Sequence, residues 1–341
     1  TGRSDIEMTF CGSSYGGMLL GKRILNKLGM TGPPVVNVEN ACSSGSTAMF
    51  EARRAVSHGD CDVALVIGVD SLTQFGGGTI PLVDDDWEIS QGMTMPALYA
   101  MRARRYMHEF GATVEQLAKV SVKARSHGAR NPDAQFQKSV TVEEVLGSRP
   151  IADPLTLLQC CPTGDGAAAA IICASDVAGR FEAEPVKILA SELCSGKFTN
   201  GFRDMTSMEI AVRGAGIAYE QAGLGPDDID VAEVHDAFSI AELLYYEAFG
   251  FCERGEAVQL LESGETTIGG QIVVNPSGGL LAKGHPIGGT GVAQVVEIVR
   301  QLRGHCGDRQ VEGAKVGLTH ATGGGAMGMD SGACSIHIFA R

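Results

Sequence analysis

One cysteine stands where an extended segment turns into a helix. The segment Val36–Val38 leads into the small-residue turn Asn40-Ala41-Cys42-Ser43, and Thr47–Ser57 has the Ala-rich, amphipathic pattern of a helix. Free backbone N–H groups and the helix dipole favour an anion at such a helix end. We therefore expect a lowered pKa for the Cys42 thiol and a thiolate nucleophile. The alternative is a buried structural cysteine.

Three histidine-bearing segments further along the chain could meet this cysteine. His235 is followed by Asp-Ala-Phe, His285 stands in a Gly-His-Pro loop, and His320 ends a strand-like segment before Ala321. Six glycines lie between positions 278 and 291, and glycines permit close backbone approach to a ligand. This loop lacks the GxxxxGK[ST] pattern of a phosphate loop. A lone loop histidine is more often structural or solvated, so the case depends on the whole set.

Composition narrows the class of protein. The chain has 341 residues, 44% of them hydrophobic, and a net charge of −13. Nucleic acid and anionic membranes are therefore excluded as main partners, and the length allows two domains or one large α/β unit. No apolar run reaches the roughly 18 residues that span a bilayer. The 10 cysteines are scattered, which fits neither a disulfide scaffold nor a zinc site, and we expect a reduced cytoplasmic enzyme without a metal.

The chain contains two halves with the same order of elements. The first half reads as strand Asp5–Gly12, helix Met18–Leu28, strand Val35–Val38, the Cys42 loop, a helix, and strand Val63–Gly68. The second half reads as strand Asp228–His235, helix Ile240–Phe249, strand Ile272–Asn275, the His285 loop, helix Val292–Leu302, and strand Lys315–His320. The Cys42 and His285 loops thus occupy equivalent positions, and a pseudo-twofold arrangement would bring them face to face.

The second half also has an additional strand, Val186–Leu193, and a helix, Met208–Ala222, before its first equivalent strand. We expect that roughly 40 residues are absent from the start of the first half, because a domain needs its central strand, and that Thr1 is not the natural N-terminus. The predicted domains are an N-terminal half (1–74 and 151–180), a helical insert or lid (75–150) and a C-terminal half (181–341). Basic residues on the helices of the insert suit a substrate-binding layer or a solvated face.

At these motifs the chain resembles the thiolase superfamily over essentially its whole length. The segments Asn40–Gly45 and Gly284–Gly288 carry the resemblance, and His235-Asp236-Ala237-Phe238 is similar to the sterol-carrier-protein branch. That branch includes lipid-transfer-protein and acetyl-CoA acetyltransferase-like enzymes and aromatic-degradation thiolases such as benzoylsuccinyl-CoA thiolase. The resemblance implies an α/β thiolase fold, in which two βαβαβαββ halves form a five-layer α/β/α/β/α sandwich, here with a helical insert.

The resemblance also implies roles for individual residues. Cys42 would attack a β-ketoacyl-CoA, or accept an acyl group, and form a thioester. His285 would be the base for Cys42, and His235 would help bind the thioester oxygen of the nucleophilic acyl group. The backbone N–H groups of Cys42 and Gly323 would form a second oxyanion hole. Coenzyme A enters as a substrate, and no metal is expected.

One departure concerns the second catalytic cysteine of thiolases. The two positions where that thiol is usual hold Ala237 and Ala321 in this chain. We therefore expect a histidine, His320 or His235, to transfer the α-carbon proton. The Cys-His-His set also resembles that of decarboxylating ketoacyl synthases, which leaves the direction of the reaction open.

The leading prediction is a CoA-dependent thiolase that works through a Cys42 acyl-enzyme. The alternatives are an aldolase of the same fold acting on a CoA ester, against which Cys42 argues, and a low-activity scaffolding subunit of an acyl-CoA-processing complex. The resemblance further implies a homodimer, with a small OB-fold zinc-ribbon protein as a possible partner. The other cysteines are interpreted as structural, with Cys160 and Cys161 the least certain of them.

Overall fold

The computed structural model describes residues 2–82, 87–198, 201–324 and 331–341. Its strands are β1 (Met8–Gly12), β2 (Val35–Val38), β3 (Val63–Ser71), β4 (Pro150–Ala152), β5 (Leu155–Thr156), β6 (Asp165–Cys173), β7 (Lys187–Ser195), β8 (Val231–Glu233), β9 (Val273–Val274), β10 (Val316–Gly323) and β11 (Ala333–Ala340). Its helices are α1 (Leu20–Lys27), α2 (Ser44–His58), α3 (Trp87–Ser90), α4 (Met95–Phe110), α5 (Val114–Gly128), α6 (Val142–Leu146), α7 (Glu209–Ala222), α8 (Ser239–Ala248), α9 (Ala257–Ser263), α10 (Gly279–Ala282) and α11 (Ile287–Leu302).

Two sheets with the same strand order confirm the internal repeat. The first has the order β2-β1-β3-β6, and the second has the order β9-β8-β10-β11-β7. In the first sheet β1 pairs in parallel with β2 and β3, and β3 pairs antiparallel with β6. In the second sheet β8 pairs in parallel with β9 and β10, and β10 pairs antiparallel with β11. β7 pairs antiparallel with β11 and is the additional strand that the sequence predicts for the second half. Among the described residues the first sheet has no counterpart of β7.

The helices α2 and α11 lie between the two sheets and form the middle layer. α2 packs on β1 and β3 of the first sheet and on β7 and β11 of the second, while α11 contacts β3, β6, β8 and β10. One continuous apolar core therefore joins Phe10 of the first sheet to Val231 and Phe339 of the second, through Ala52 and Val295 of these helices. With α1 outside the first sheet and α7 outside the second, this is the five-layer α/β/α/β/α sandwich.

The helices of the insert pack onto the second half. Tyr106 and Leu117 of the insert share a buried core with Leu243 of α8. Lys123 is buried and its Nζ lies 2.7 Å from an Oε1 of Glu242. Such a buried pair positions helices, because separating it would leave an unpaired charge in the core.

Two further basic residues of the insert are buried by this packing, whereas Arg104, Arg105 and Lys119 are exposed, so the role of the insert as a lid or substrate-binding layer stays a prediction. Arg102 is also buried, and it donates to the carbonyl of Met205 at 2.9 Å. Arg125 is buried and lies over the ring of Phe136. The buried cations are held by the protein itself. Within the described ranges, no helix has the length and apolar character to span a membrane.

The middle helices approach each other so closely that only glycine fits at their contact. A Cβ atom on Gly45 would lie 2.2 Å from the carbonyl oxygen of Gly288, and one on Gly291 would lie 2.4 Å from the backbone nitrogen of Ser46. The backbone cannot move there without displacing the starts of both α2 and α11. The glycines near the cysteine and the histidine therefore set the distance between the two loops.

Replacing Gly291 with Ala is expected to lower the free energy of unfolding by about 2 kcal/mol or more, because overpacking forces the backbone apart. It should also lower activity by displacing Cys42 from His285. The matched control is Gly216→Ala in α7, where a Cβ meets nothing within 4 Å. That change should be neutral or slightly stabilising. The free energy of unfolding, measured in urea, and the activity should both be lower for G291A than for G216A. Equal values for the two variants would contradict the close-contact account.

Candidate active site

Three chemically active side chains from the two halves meet at the contact of the two loops. The Cys42 sulfur and one ring nitrogen each of His235 and His285 all lie within 4.8 Å of one another. The two imidazole rings meet edge to face, with centroids 5.0 Å apart and an interplanar angle of 87°. The predicted face-to-face placement of the two loops is thereby confirmed.

The turn that carries Cys42 is held in an unusual backbone conformation. Ala41 has a φ of 48°, in the left-handed region that few residues other than glycine adopt. The Ser14 hydroxyl donates to the Ala41 carbonyl at 2.9 Å, and the Ser43 hydroxyl shares a 2.5 Å hydrogen bond with that of Ser335. The turn is thus tied to both halves. α2 begins at Ser44, three residues earlier than the sequence predicts.

Burial reverses the predicted direction of the Cys42 pKa. Part of the residue surface is exposed, but the thiol is enclosed, and burial followed by the negative charge of Asp70 raises its pKa to about 12. Backbone N–H groups of Cys42 and Gly324 act in the opposite direction and are outweighed. The expectation of a resting thiolate was therefore wrong, because desolvation exceeds the effect of the helix end. Cys42 needs a base that accepts its proton.

His285 offers a free nitrogen for that purpose. Its Nδ1 shares a 2.7 Å hydrogen bond with the Thr290 hydroxyl, which comes from the first turn of α11. Its Nε2 is buried and has no hydrogen-bond partner among the described residues. Burial, followed by the neighbouring His235 and Lys283, holds the pKa of His285 well below its usual value. The neutral imidazole can therefore accept a proton on the nitrogen that Thr290 leaves free.

His235 lies two residues beyond the end of β8. Burial and the charge of Lys283 lower its pKa to about 3, so the ring is neutral. Its Nδ1 has no hydrogen-bond partner within the described part of the chain. The next residue, Asp236, accepts a hydrogen bond from the backbone N–H of Leu280 at 2.7 Å, which fixes this loop against α10. A neutral imidazole held in this way can donate a hydrogen bond to an oxygen atom.

The structure does not bring the His320 ring into the group of three. His320 is fully buried. The centroid of its ring lies 4.3 Å from the ring centroid of Tyr245 and 4.9 Å from that of Phe249. Its Nδ1 accepts a hydrogen bond from the backbone N–H of His235 at 3.3 Å. His320 thus supports the loop of His235 from behind, and its predicted role in proton transfer stays a prediction.

The end of β10 closes the site around the cysteine. A Cβ on Gly323 would lie 2.0 Å from the carbonyl oxygen of Asn40, so this strand end touches the Cys42 turn. The backbone N–H that contacts the Cys42 sulfur comes from Gly324, one residue beyond the predicted oxyanion-hole residue. The assignment of the Gly323 N–H to that hole stays a prediction.

Sequence reasoning missed Asp70, a buried carboxylate at the end of β3. It accepts hydrogen bonds from the Ser13 hydroxyl at 2.6 Å and from the backbone N–H groups of Ser14, Tyr15 and Gly288 at 3.0, 2.9 and 2.8 Å. It thus joins the loop after β1 to the first turn of α11. The sequence did offer one sign of it, an acidic residue near the end of an otherwise apolar strand. A carboxylate buried there needs hydrogen-bond donors around it.

A further buried histidine holds the start of α2. One ring nitrogen of His337 lies 2.8 Å from the Ser46 hydroxyl, and the other lies 2.9 Å from the Ser191 hydroxyl. Burial lowers the pKa of His337 to about 4. The Ser46 carbonyl has a smaller effect that raises this pKa, and the charge of Arg53 has a smaller effect that lowers it. In the unfolded chain the ordinary value is about 6.5. Below that value the unfolded state therefore binds a proton that the folded state rejects.

The stabilising contribution of His337 should consequently be present above pH 6.5 and be lost as the pH falls toward 4. Between pH 7 and 5 we expect the difference in unfolding free energy between the wild type and His337→Asn to shrink by about 2 kcal/mol. Urea unfolding of the wild type and of H337N at several pH values measures this difference. A wild-type advantage over H337N that grows on acidification would contradict the assignment.

The three converging donors could also hold a metal ion. One cysteine and two histidines match the donor types of zinc sites. A ligating histidine ordinarily donates its other ring N–H to a partner that orients it, as His285 could to Thr290. The His235 Nδ1 has no such partner among the described residues. The donor set fits a nucleophile with its base better than a closed metal site.

Comparisons with known proteins match both halves of the chain. The thiolase N-terminal domain matches residues 5–176, and the thiolase C-terminal domain-like family matches residues 192–334. Acetyl-CoA acetyltransferase of Methanothermobacter thermautotrophicus is 44% identical, covering 99% of this chain and 89% of the relative. Benzoylsuccinyl-CoA thiolase subunit BbsB of Thauera aromatica is 43% identical, covering 94% of this chain and 84% of the relative.

The other similarities define the branch. Sterol carrier protein 2 of Oryctolagus cuniculus is 40% identical over 95% of this chain, which spans 63% of that longer protein. Among solved structures, the Ltp2-ChsH2(DUF35) aldolase is similar with a TM-score of 0.85 and 27% identity, covering 99% of this chain and 88% of that one. With both family domains matched and relatives above 40% identity, the chain belongs to the thiolase family, in the branch that contains sterol carrier protein 2.

Proposed function

We propose that this thiolase cleaves or forms the carbon–carbon bond of a β-ketoacyl-CoA through an acyl-enzyme on Cys42. The observation that carries the proposal is the meeting of Cys42, His235 and His285, whose donor atoms lie within 4.8 Å of one another. A thiol, a neutral base and a second neutral imidazole are the parts that covalent acyl transfer requires. Coenzyme A is a substrate in this reaction and leaves with the product.

The first step is proton transfer from the Cys42 thiol to His285 as the sulfur attacks the carbonyl carbon. Because burial raises the pKa of the thiol to about 12, the neutral pair is the resting state. The hydrogen bond between His285 Nδ1 and Thr290 leaves Nε2 as the proton acceptor. His285 later returns this proton when Cys42 is released as the leaving group.

The negative charge that develops on oxygen is stabilised by two groups of donors. The backbone N–H groups of Cys42 and of the Gly323-Gly324 segment face the carbonyl that Cys42 attacks. His235 donates to the thioester oxygen of the acyl group that gains or loses the bonding carbon. Preorganised donors of this kind typically contribute about 3 kcal/mol each to the transition state.

The proposed substrates are acetyl-CoA or acetoacetyl-CoA, or a β-ketoacyl-CoA with an aromatic group, with a role in lipid or aromatic compound degradation. The support is the similar identity, 44% and 43%, to an acetyl-CoA acetyltransferase and to a benzoylsuccinyl-CoA thiolase subunit. Acetoacetyl-CoA and an aromatic β-ketoacyl-CoA share the β-keto thioester that the site would cleave, and acetyl-CoA is the substrate in the direction of bond formation. The two β-keto substrates differ in the bulk of the acyl group.

The proposed assembly is a homodimer in the cytoplasm, with a small OB-fold zinc-ribbon protein as partner. Support for a partner comes from the similar aldolase, whose name includes a second component, ChsH2(DUF35), and from the similar BbsB protein, which is named a subunit. Support for a reducing compartment comes from the cysteines, all ten of which are free thiols.

The test is CoA-dependent thiolysis of acetoacetyl-CoA and of benzoylsuccinyl-CoA, measured as loss of the substrate and formation of two CoA esters. A thiolase consumes one free CoA for each substrate cleaved. An aldolase would release a carbonyl product and consume no CoA, and a scaffolding subunit would do neither. Turnover of a CoA ester without consumption of CoA would refute the proposal.

A further inference from the structure

A short segment with two adjacent cysteines lies between the two histidine loops. Cys160 forms an antiparallel backbone bridge with Phe238, and Thr163 forms a parallel bridge with His285. Between these bridges, the backbone N–H of Cys161 donates to the carbonyl of Ala237 at 2.8 Å. The segment is therefore fixed on one side by the His235 loop and on the other side by the His285 loop.

This register places Cys161 opposite Ala237. In an antiparallel pair, the residue after Cys160 faces the residue before Phe238, and directly opposed residues have Cα atoms about 5 Å apart. Ala237 is one of the two positions where the family pattern would supply a second thiol. Cys161 on the neighbouring segment thus supplies a thiol next to Ala237, a residue that has none.

The Cys161 thiol is buried and lies near enough to Cys42 for their charges to interact. Burial, followed by the negative charges of Cys42, Cys160 and Asp236, raises the pKa of Cys161 well above its usual value. Cys161 therefore rests as a thiol that has a proton to give, and its thiolate is a stronger base than an ordinary one. The same site thus encloses two thiols and two neutral imidazoles.

Cys160 differs from its neighbour in its contacts. Its thiol donates to the carbonyl of Thr156 at 3.4 Å, and burial raises its pKa to about 12. Cys42 is not among the charges that act on it. Cys160 thus provides a matched control for Cys161, one residue away.

We infer that Cys161 is the acid–base residue that transfers the α-carbon proton in the reaction of this site. The inference rests on the proposed thiolase mechanism and adds the group that the positions of Ala237 and Ala321 leave open. It replaces the predicted role of His320, whose ring lies behind the His235 backbone.

In the direction of cleavage, the bond between the α and β carbons breaks once Cys42 has attacked the β carbonyl. The electron pair passes to the α carbon as a thioester enolate, and the Cys161 thiol donates its proton to that carbon. The resulting Cys161 thiolate then takes the proton of the incoming CoA thiol, whose sulfur attacks the acyl-enzyme. Both thiols of the enzyme regain their starting state when His285 returns its proton to Cys42.

The test uses acetyl-CoA in deuterated water with the variants Cys161→Ala, Cys161→Ser and Cys160→Ala. Exchange of methyl protons of acetyl-CoA requires the α-proton group, whereas acetylation of Cys42 does not. We expect C161A and C161S to lose the exchange by about a hundredfold or more, as is typical for loss of an acid–base group. Both variants should keep acetylation of Cys42, and C160A should keep both activities.

Several results separate the failure of this inference from the failure of the proposed function. If the wild type itself is not acetylated, the proposed function fails. If C161A exchanges at nearly the wild-type rate while H235A does not, His235 is the proton carrier and the inference is overturned. If C161A and C161S both lose acetylation as well as exchange, the inference is also overturned, because Cys161 would then act on Cys42 and not on the α carbon.

Discussion

Replacing Cys42 with Ala should abolish thiolysis to below about one hundredth of the wild-type rate, a barrier increase of at least about 2.7 kcal/mol. The reason is that Cys42 is the thiol that meets both a free imidazole nitrogen and the N–H groups at the start of α2. Steady-state thiolysis of the preferred β-ketoacyl-CoA measures the effect. The fold should be retained, since removing one sulfur at a half-buried turn leaves the core intact.

A second cysteine far from the site serves as the control for this change. Cys173 ends β6, and Asp165 begins it, so about 26 Å of extended strand separate Cys173 from the end of β6 that faces the site. Cys173→Ala should therefore keep the wild-type rate. A C42A enzyme that retains more than a hundredth of the wild-type rate would exclude covalent catalysis by this residue.

Replacing His285 with Ala should lower the rate of acyl transfer by about a hundredfold to ten-thousandfold, the range typical for loss of a general base. Because burial raises the pKa of Cys42 to about 12, few molecules hold a thiolate without a proton acceptor. The loss should therefore be smaller at high pH, where solvent hydroxide removes the proton. Single-turnover acetylation of the enzyme between pH 7 and 10 measures this dependence.

Thr290→Val provides a milder change at the same ring. It removes the hydroxyl that lies 2.7 Å from His285 Nδ1 while it keeps the shape of the side chain. The imidazole remains but loses its fixed orientation, so we expect a loss of about tenfold. A rate for H285A equal to that of T290V would show that His285 positions other groups and does not accept the proton.

The sequence predicted the repeat and the meeting of the two loops because both depend on local patterns. Strands such as Val35–Val38 have the bounds that the β-branched residues indicate. The glycines around His285 predicted a close approach of the backbone to a ligand, and in the structure two of them, Gly288 and Gly291, contact the first half of the chain. Equivalent positions in two repeats are brought together by their pseudo-symmetry. The family motifs then followed from a few residues at fixed spacing.

The electrostatics of the site could not be predicted in the same way. The helix-end position of Cys42 suggested a lowered pKa, but the burial of the thiol and the position of Asp70 depend on how the two halves pack. The contact between Cys161 and Ala237 joins residues far apart in the chain, beside the isolated bridge of Cys160 with Phe238. No local sequence pattern predicts such a bridge. For the same reason, the buried pairing of Lys123 with Glu242 was invisible in the helical pattern of the insert.

The central claim is that Cys42 carries the acyl group, and intact mass spectrometry after mixing the enzyme with acetyl-CoA tests it most directly. The account predicts a mass increase of one acetyl group, located on the peptide that contains Cys42, absent in C42A, and removed on addition of CoA. A full complement of thiolysis activity without an acetylated enzyme, or an acetyl group on a different residue, would contradict it.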